Sequence, residues 1–175
     1  MKNFKINLIP GDGIGVDVVY EGVRVINAVA QKTGRASFNF NTLPWSCEYY
    51  LKHGRMMPED GLRILADCDA VFLGAVGFPG VPDHISLREL LLPIRTEFDQ
   101  YVNIRPIKLL PGLESPLKNE QIDFVVIREN SEGEYCGRGS LNNENTPEEY
   151  AIQENLFTRK GTERIIRYAF EYAVK

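Results

Sequence analysis

The chain has 175 residues, of which 43% are hydrophobic and 25% are charged, and its formal net charge is −4. This composition is ordinary for a globular protein of one domain or of parts of two. No run of Lys and Arg supplies the basic patch typical of nucleic-acid binding, and no apolar stretch approaches the roughly 20 residues that cross a bilayer, so neither a nucleic acid nor a membrane is an expected partner.

The first predicted elements are a strand, a glycine-rich turn and a helix. Residues 4–9 form a short apolar run typical of a strand, and three glycines follow within residues 11–15. Apolar residues then recur at helical spacing until Gly34, which is placed to end the helix. Because the glycines have the spacing G-x-G-x-G and not that of the dinucleotide motif G-x-G-x-x-G, we do not predict a Rossmann-type site at this turn.

A second strand, two short helices and a third strand are predicted next. Residues 36–43 alternate in polarity, Ser46 is placed to cap a short helix, and Gly54 is placed to end it. Pro58 suits the first turn of another helix. Residues 70–76 have the continuous apolar pattern of a buried strand.

The middle of the chain is predicted to contain a loop, a helix and two strands. The loop is rich in glycine and proline and covers residues 77–83, after which Ser86 is placed to cap the helix. The strands are predicted over residues 101–110 and 122–127. Alternating strands and helices predict an α/β fold with a largely parallel sheet.

The last third begins with a polar, turn-rich segment at residues 137–147, followed by a predicted strand at 150–157. Thr158 is placed to cap the last helix, whose apolar stripe is still running at Lys175. We interpret this pattern as that of a chain that forms the N-terminal part of a larger fold.

Three arginines and one tyrosine are candidate site residues. Arg95 lies near the end of a predicted helix and Arg105 within a predicted strand, while Arg128 directly follows an apolar strand expected to be buried, where α/β proteins bind ligands. A guanidinium binds a carboxylate through paired hydrogen bonds, so a substrate with two carboxylates would use several arginines. Taken singly, each arginine is more typical of a surface ion pair, and Tyr135 of packing.

Five segments stand out when they are taken together: IPGDGIG at residues 9–15, GAVG at 74–77, IR at 94–95, NIRP at 103–106 and RENSEGEY at 128–135. In this order and at these intervals they resemble the isocitrate and isopropylmalate dehydrogenase family, the metal-dependent β-decarboxylating dehydrogenases. The resemblance implies a three-layer isopropylmalate-dehydrogenase-like α/β fold, of which this chain would be the N-terminal portion. Residues 1–100 would begin the cofactor-side domain, and residues 101–175 would begin a second, dimer-forming domain that includes the start of a clasp arm.

Within the family the chain is most similar to the tartrate and D-malate dehydrogenase branch. The similarity lies in WSCEYY at residues 45–50, VPDHISL at 81–87 and EFDQYVN at 97–103. The branch implies NAD-dependent oxidative decarboxylation of a small 2-hydroxy diacid by the full-length parent, either of D-malate, which would give pyruvate, or of tartrate. The 175-residue chain alone is expected to be inactive, because the later half of the family chain carries the catalytic lysine and the metal ligands. Residues 83–87 would border the variable group of the substrate.

The resemblance also assigns roles to individual residues. Arg95, Arg105 and Arg128 would bind the substrate carboxylates, and Tyr135 would be the acid that protonates the enol carbon after CO2 leaves. The residues expected to lie along NAD are Ile14, Gly74, Ala75, Val76 and Ser86.

A divalent metal, Mg²⁺ or Mn²⁺, is implied as a Lewis acid, with a monovalent cation such as K⁺ beside it. The metal ligands and the catalytic lysine belong to the later half of the family chain, so no residue here is assigned to the metal. The family also implies a homodimer that clasps through residues 137–157. The three cysteines lack metal-site spacing, and the N-terminus lacks a signal-peptide pattern, so a cytoplasmic location is expected.

Two alternatives stay open at this point. The chain would be a non-catalytic fragment or pseudoenzyme subunit if it binds a ligand or partner without turnover. A weaker alternative is 3-isopropylmalate dehydrogenase, against which the branch resemblance of residues 83–87 argues. Because a sheet without its later strands exposes apolar edges, we expect the chain alone to need a partner or to be marginally stable.

Overall fold

The computed structural model describes residues 2–118 and 122–174, so the predictions that concern Met1 and Lys175 lie outside the described residues. The chain divides into two compact units, Met1–Ile94 and Arg95–Lys175, which we call the first unit and the second unit. Parallel strands pair in the first unit and antiparallel strands in the second.

The first unit is built on a three-stranded parallel sheet in the order β2-β1-β3. The strands are β1 (Lys2–Gly11), β2 (Ala36–Thr42) and β3 (Ala70–Ala75), and helix α1 (Ile14–Thr33) connects the first two. Parallel strands require such a crossover, and α1 lies against β1 and β3. These elements confirm the predicted strands and helix, and Gly34 ends α1 in the left-handed conformation with φ 63°.

Helix α1 approaches the sheet more closely than side chains would allow. A Cβ atom at Gly15 would overlap the Pro10 carbonyl oxygen and the backbone of Ala75. A Cβ atom at Gly74 would overlap the same Pro10 oxygen and the backbone of Gly15. The close approach of backbone segments therefore requires glycine at both positions.

Helix α2 (Cys47–His53) has both predicted caps. The Ser46 hydroxyl accepts a hydrogen bond from the Tyr49 N–H at 3.0 Å, which satisfies one donor of the first turn. Gly54 ends the helix with φ 69°, a conformation that glycine adopts without strain.

Helix α3 (Gly61–Ala66) begins later than predicted. The Pro58 carbonyl accepts the Gly61 N–H at 2.9 Å, so Pro58 opens a turn that precedes the helix. The prediction that Pro58 lies in the first turn of the helix is therefore wrong. Helix α3 begins only at Gly61, where the preceding turn opened by Pro58 ends.

The helix after the glycine-proline loop begins at Asp83. Its parts are α4 (Asp83–Ser86), a π-helical segment (Leu87–Leu91) and α5 (Leu92–Glu97). The prediction that Ser86 caps this helix is wrong, because Ser86 has helical backbone angles and its hydroxyl donates to the Asp83 carbonyl at 3.0 Å. Pro82, with φ −59°, precedes the first helical residue.

The second unit contains two antiparallel ribbons and one long helix. The ribbons are β4 (Val102–Lys108) with β5 (Asp123–Glu129), and β6 (Gly139–Asn142) with β7 (Tyr150–Gln153). The prediction of a largely parallel sheet therefore holds only for the first unit. The part of residues 109–122 that the structure describes forms no crossover helix, which parallel pairing of β4 and β5 would require.

Two further predictions in the second unit are wrong. Arg128 lies inside β5, opposite Asn103, and does not follow the strand, and residues 123–126 of β5 are exposed, not buried. The segment predicted as turns over residues 137–147 contains β6, because its backbone pairs with β7.

The last helix is α6 (Arg159–Ala173), and its predicted cap is confirmed. The Thr158 hydroxyl accepts a hydrogen bond from the Gly161 N–H at 2.9 Å. The later part of its apolar stripe, at Ile166 and Phe170, is exposed. Among the described residues, none of the helices combines the length and apolar character of a membrane span.

Candidate active site

Tyr135 lies on a single 3₁₀ turn, Glu134–Cys136, and is half-buried. Its hydroxyl oxygen accepts a hydrogen bond from the guanidinium of Arg128 on β5. The Arg128 Cζ atom also lies 5.1 Å from the centroid of the Tyr135 ring, within the range of a cation–π interaction. Gly133, directly before this turn, has φ 71°, a backbone conformation that favours glycine.

Arg95 approaches the same ring from helix α5. Its Cζ atom lies 5.8 Å from the Tyr135 ring centroid. Two of the three predicted carboxylate-binding arginines therefore meet at the predicted acid, although 40 residues of sequence separate Arg95 from Tyr135.

Arg105 lies on β4 and is exposed, and its Nε donates to the Asn103 side chain at 3.2 Å. In the antiparallel register Asn103 is opposite Arg128, and Arg105 is opposite Val126. Residues two apart on one strand share a face, so Arg105 and Arg128 lie on the same face of this ribbon. The structure thus places Arg95 and Arg128 beside Tyr135. Arg105 lies further along the face of the β4-β5 ribbon that carries Arg128.

Within residues 2–118 and 122–174, the ion pairs involve other side chains and none involves Arg95, Arg105 or Arg128. The interpretation of each as a surface ion pair is therefore not supported by these contacts. Two guanidinium groups beside a phenol, with a third on the same face of the ribbon, have the chemistry to bind a small molecule with carboxylates.

The loop that leads to Tyr135 is fixed by the Glu129 carboxylate. It accepts the Ser131 hydroxyl at 2.6 Å, the Ser131 N–H at 3.0 Å and the Glu132 N–H at 2.7 Å. Burial alone would raise the pKa of Glu129, but the hydrogen bonds from Ser131, Glu132 and Asn130 outweigh it and lower the pKa overall. Glu129 is therefore an anion that orders the loop.

The predicted cofactor residues all belong to the first unit. The side chain of Ile14 is 67% exposed at the start of α1, and Ala75 is exposed at the end of β3. Gly74 instead packs against Pro10, and Val76 packs near Gly11. The remaining predicted cofactor residue, at position 86, is a buried serine.

Asp12 is a buried residue whose role the sequence did not predict. Its carboxylate accepts the Cys47 N–H at 3.0 Å and the Gly77 N–H at 3.1 Å. It therefore links the end of β1 to the first turn of α2 and to the loop after β3. The available signal was a single acidic residue between two glycines at a strand end, but its partners lie 35 and 65 residues away.

The same contact affects the thiol of Cys47. Burial raises its pKa to about 11, and the Asp12 carboxylate adds to the increase because it disfavours a second negative charge nearby. The thiol is therefore protonated at neutral pH, which is typical of a structural cysteine.

Among the described residues, no group of three or more His, Cys, Asp or Glu side chains could hold a metal ion. The acidic residues near the candidate site have other partners. Asp99 binds Arg164, Asp123 binds Lys108, and Glu129 binds Ser131. The residues that are described therefore do not fit a metal centre.

A family model and two curated relatives relate the chain to the same group of dehydrogenases. The family model described as isocitrate/isopropylmalate dehydrogenase matches residues 5–175. The chain is 54% identical to the tartrate dehydrogenase/decarboxylase of Pseudomonas putida, in a match that covers 99% of this chain and 48% of that protein. It is also 54% identical to the D-malate dehydrogenase (decarboxylating) of Escherichia coli strain K12, with 99% and 49% covered.

A solved structure agrees with these sequence matches. The isocitrate dehydrogenase from Methylococcus capsulatus is similar with a TM-score of 0.76 and 32% sequence identity, over 97% of this chain and 47% of that chain. The chain thus spans about half the length of the curated relatives it matches. The predicted family resemblance and α/β fold class are confirmed.

Proposed function

The chain belongs to the isocitrate/isopropylmalate dehydrogenase family, and from this we propose that it serves the NAD-dependent oxidative decarboxylation of a small 2-hydroxy diacid. D-malate, with pyruvate as product, and tartrate are the proposed substrates, because two similar relatives are a D-malate dehydrogenase and a tartrate dehydrogenase/decarboxylase. Since the chain spans about half of those relatives, the activity of a whole enzyme remains a proposal.

The observation that carries the proposal is the hydrogen bond from Arg128 to the Tyr135 hydroxyl. Because the phenol oxygen accepts from the guanidinium, the phenol keeps its own proton to donate elsewhere. The guanidinium also stabilises the negative charge that develops when the proton leaves. We assign to Tyr135 the protonation of the enol carbon after CO2 is lost.

The three arginines are assigned to the substrate carboxylates. Arg95 and Arg128 lie beside Tyr135, and Arg105 lies on the face that carries Arg128. A carboxylate bound by a planar guanidinium is fixed in orientation as well as position. Two carboxylates held in this way would place the carbon between them near the phenol.

Family membership implies dependence on NAD and on a divalent metal in general. When bound, NAD supplies the hydride acceptor, and the exposed Ile14 and Ala75 fit a contact with it. Gly74 and Val76 would support that surface from beneath, whereas the buried Ser86 hydroxyl is engaged with Asp83. Mg²⁺ or Mn²⁺, with K⁺ beside it, is proposed for the activity, but the described residues do not fit the metal and we assign it no step here.

The proposed assembly is a homodimer in the cytoplasm. Residues 1–100 are assigned to the cofactor-side domain and residues 101–175 to the dimer-forming domain. The β6-β7 ribbon supports an interface because it exposes Leu141, Tyr150 and Ile152. Light scattering on a gel-filtration column tests the dimer, and a monomer at all concentrations would contradict it.

The direct test of the proposed function follows NADH absorbance with the purified protein in a form that carries the later half of the family chain, together with NAD, Mn²⁺, K⁺ and one diacid at a time. The 175-residue chain is assayed in parallel and is expected to be inactive. D-malate, tartrate and 3-isopropylmalate are compared at equal concentrations. The proposal predicts turnover with D-malate or tartrate and less with 3-isopropylmalate. Preference for 3-isopropylmalate would favour the isopropylmalate alternative.

Binding without turnover is the second candidate function. Arg95, Arg128 and Tyr135 form what we call the arginine–tyrosine cluster. Binding without turnover is favoured because this cluster lies in a chain that spans about half the length of its relatives. Calorimetry with D-malate distinguishes the two candidates. Heat of binding without NADH formation would support the non-catalytic candidate, and neither binding nor turnover would contradict both.

A further inference from the structure

Arg164 on α6 makes contacts with two segments that are distant in sequence. Its Nη1 donates to both oxygens of the Asp99 carboxylate at 2.9 Å, and its Nη2 donates to the Ser131 hydroxyl at 3.0 Å. Its guanidinium also lies 4.2 Å from the ring centroid of Tyr101. Asp99 and Tyr101 follow helix α5, whereas Ser131 lies in the loop that leads to Tyr135.

The first of these segments is fixed to Arg95. The Gln100 N–H donates to the Arg95 carbonyl at 2.8 Å, and Asp99 has φ 43°, a left-handed conformation that ends the helix. Few residues other than glycine adopt this conformation, and Asp is among those that tolerate it. The backbone conformation of Asp99 thus sets the direction of the chain after the last turn of α5, which contains Arg95.

The second segment is fixed to Tyr135. The Ser131 hydroxyl, which accepts from Arg164, donates in turn to the Glu129 carboxylate. Only three residues lie between Ser131 and Tyr135 in the sequence. The main chain of Asn130 also donates to the Tyr101 carbonyl at 3.0 Å, so the two segments are in direct contact beside the guanidinium.

We propose that Arg164 is a positioning residue: by binding Asp99 and Ser131 at once, its guanidinium sets the placement of Arg95 relative to Tyr135. The inference rests on the proposed function, in which those two side chains act on the substrate. The contacts that Arg164 makes are with Asp99, Ser131 and Tyr101, and we infer that it acts on the site through Asp99 and Ser131.

The contacts of Arg164 differ from those of an isolated surface ion pair, which contributes little to stability. Although the Asp99 side chain is 69% exposed, the Arg164 side chain is only 24% exposed. Its guanidinium binds Asp99 and Ser131 and lies against the Tyr101 ring. One partly buried side chain therefore holds both segments.

The test uses the full chain labelled with [¹³Cζ]tyrosine, in which the Tyr135 resonance is identified from its absence in Tyr135→Phe. Arg164→Met is compared with Arg167→Met. Arg167 lies three residues further on α6, and its ion pair within the described residues is with the exposed Glu163. We expect Arg164→Met to shift the Tyr135 resonance and Arg167→Met to leave it in place.

This measurement needs no substrate, so it separates the inference from the proposed function. Where the protein turns over D-malate, we expect Arg164→Met to lower kcat by about tenfold or more with little change in KM, because misplacement of a catalytic group affects the chemical step. A Tyr135 resonance that Arg164→Met leaves unmoved would overturn the inference. A shifted resonance without any turnover would support the inference and contradict only the proposed function.

A second variant keeps the test decisive if Arg164→Met does not fold. Asp99→Asn removes the charge that Arg164 binds and keeps a residue that tolerates φ 43°. We expect it to shift the Tyr135 resonance in the same direction by a smaller amount, since the Ser131 contact remains. No shift in folded Asp99→Asn would count against the proposal.

Discussion

The Arg128 guanidinium donates a hydrogen bond to the Tyr135 hydroxyl while it lies 5.1 Å from the centroid of the same ring. One side chain therefore fixes both the position of the phenol and the direction of its oxygen. Arg128 is proposed to bind a carboxylate as well, so it has two tasks that the other arginines do not share.

This double role predicts different effects for matched lysine substitutions. Arg128→Lys keeps the charge but loses the planar fork, so we expect a lower kcat and a higher KM for the diacid. Arg105→Lys, on the same face but without a contact to Tyr135, is expected to raise KM and leave kcat nearly unchanged. Steady-state kinetics of NADH formation checks both variants, and equal effects on kcat would contradict the separate role of Arg128.

Gly74 is predicted to be essential for packing, whatever its contact with a cofactor. Gly74→Ala would force a Cβ atom against the Pro10 carbonyl and Gly15. Because both clashes are with backbone, we expect it to reduce stability by about 3 kcal/mol, the upper end of the usual cost of overpacking. The matched control is Gly54→Ala, where a Cβ atom meets open space and the left-handed conformation costs only roughly 1 kcal/mol. Urea unfolding measures both, and equal losses would refute the packing explanation.

Cys47 is predicted to resist alkylation. Burial raises its pKa to about 11, so at about pH 8 almost none of the thiol is in the reactive thiolate form. We expect iodoacetamide to modify the half-buried Cys136 in the folded protein before Cys47. Peptide mass spectrometry reports the order, and rapid labelling of Cys47 would contradict its burial.

The same pKa shift gives a pH dependence with a definite sign. The neutral thiol is favoured in the folded state, so this contribution is complete below the ordinary value of 9.0 and is lost as the pH rises toward about 11. Between pH 9.0 and about pH 11, the melting temperature of Cys47→Ala is therefore expected to fall by less than that of the wild type. Parallel loss in both proteins would show that Cys47 is not responsible.

Glu129 is predicted to stabilise the loop before Tyr135 in its ionised form. Its pKa in the folded protein lies below the ordinary value of 4.5, so its contribution is present above that value and is lost as the pH falls through the lowered pKa. Glu129→Gln should melt at a lower temperature than the wild type at about pH 7, and the difference should shrink as the pH falls below the ordinary value of 4.5. The control is Glu144→Gln, an exposed carboxyl that makes no hydrogen bond or ion pair with the other residues the structure describes. A constant difference for Glu129→Gln would contradict the assignment.

Local signals predicted the parts of the fold that depend on neighbouring residues. Gly34 and Gly54 end their helices in the left-handed conformation, and Ser46 and Thr158 accept the hydrogen bonds expected of caps. These features depend on residues within one helical turn, which the sequence displays directly. The position of Ser86 misled the prediction because Pro82, four residues earlier, already precedes the first residue of that helix.

Contacts between residues that are distant in the chain could not be predicted from the sequence pattern. The placement of Arg128 inside β5 depends on its pairing with Asn103, and the central role of Asp12 depends on amide groups at Cys47 and Gly77. The candidate site was predicted from the family resemblance, not from spacing, since Arg95 and Tyr135 are far apart in the chain. Arg164 was missed for the same reason, because its partners lie more than 30 residues away.

The most direct test of the central claim is the effect of Tyr135→Phe on NADH formation from D-malate, with Tyr20→Phe as the control. Tyr20 is exposed on α1, and its substitution should leave turnover unchanged. If Tyr135 is the acid, its loss should reduce turnover by about 10²- to 10⁴-fold with a much smaller change in KM. Turnover by Tyr135→Phe equal to that of Tyr20→Phe would contradict the assignment of the arginine–tyrosine cluster as the active site.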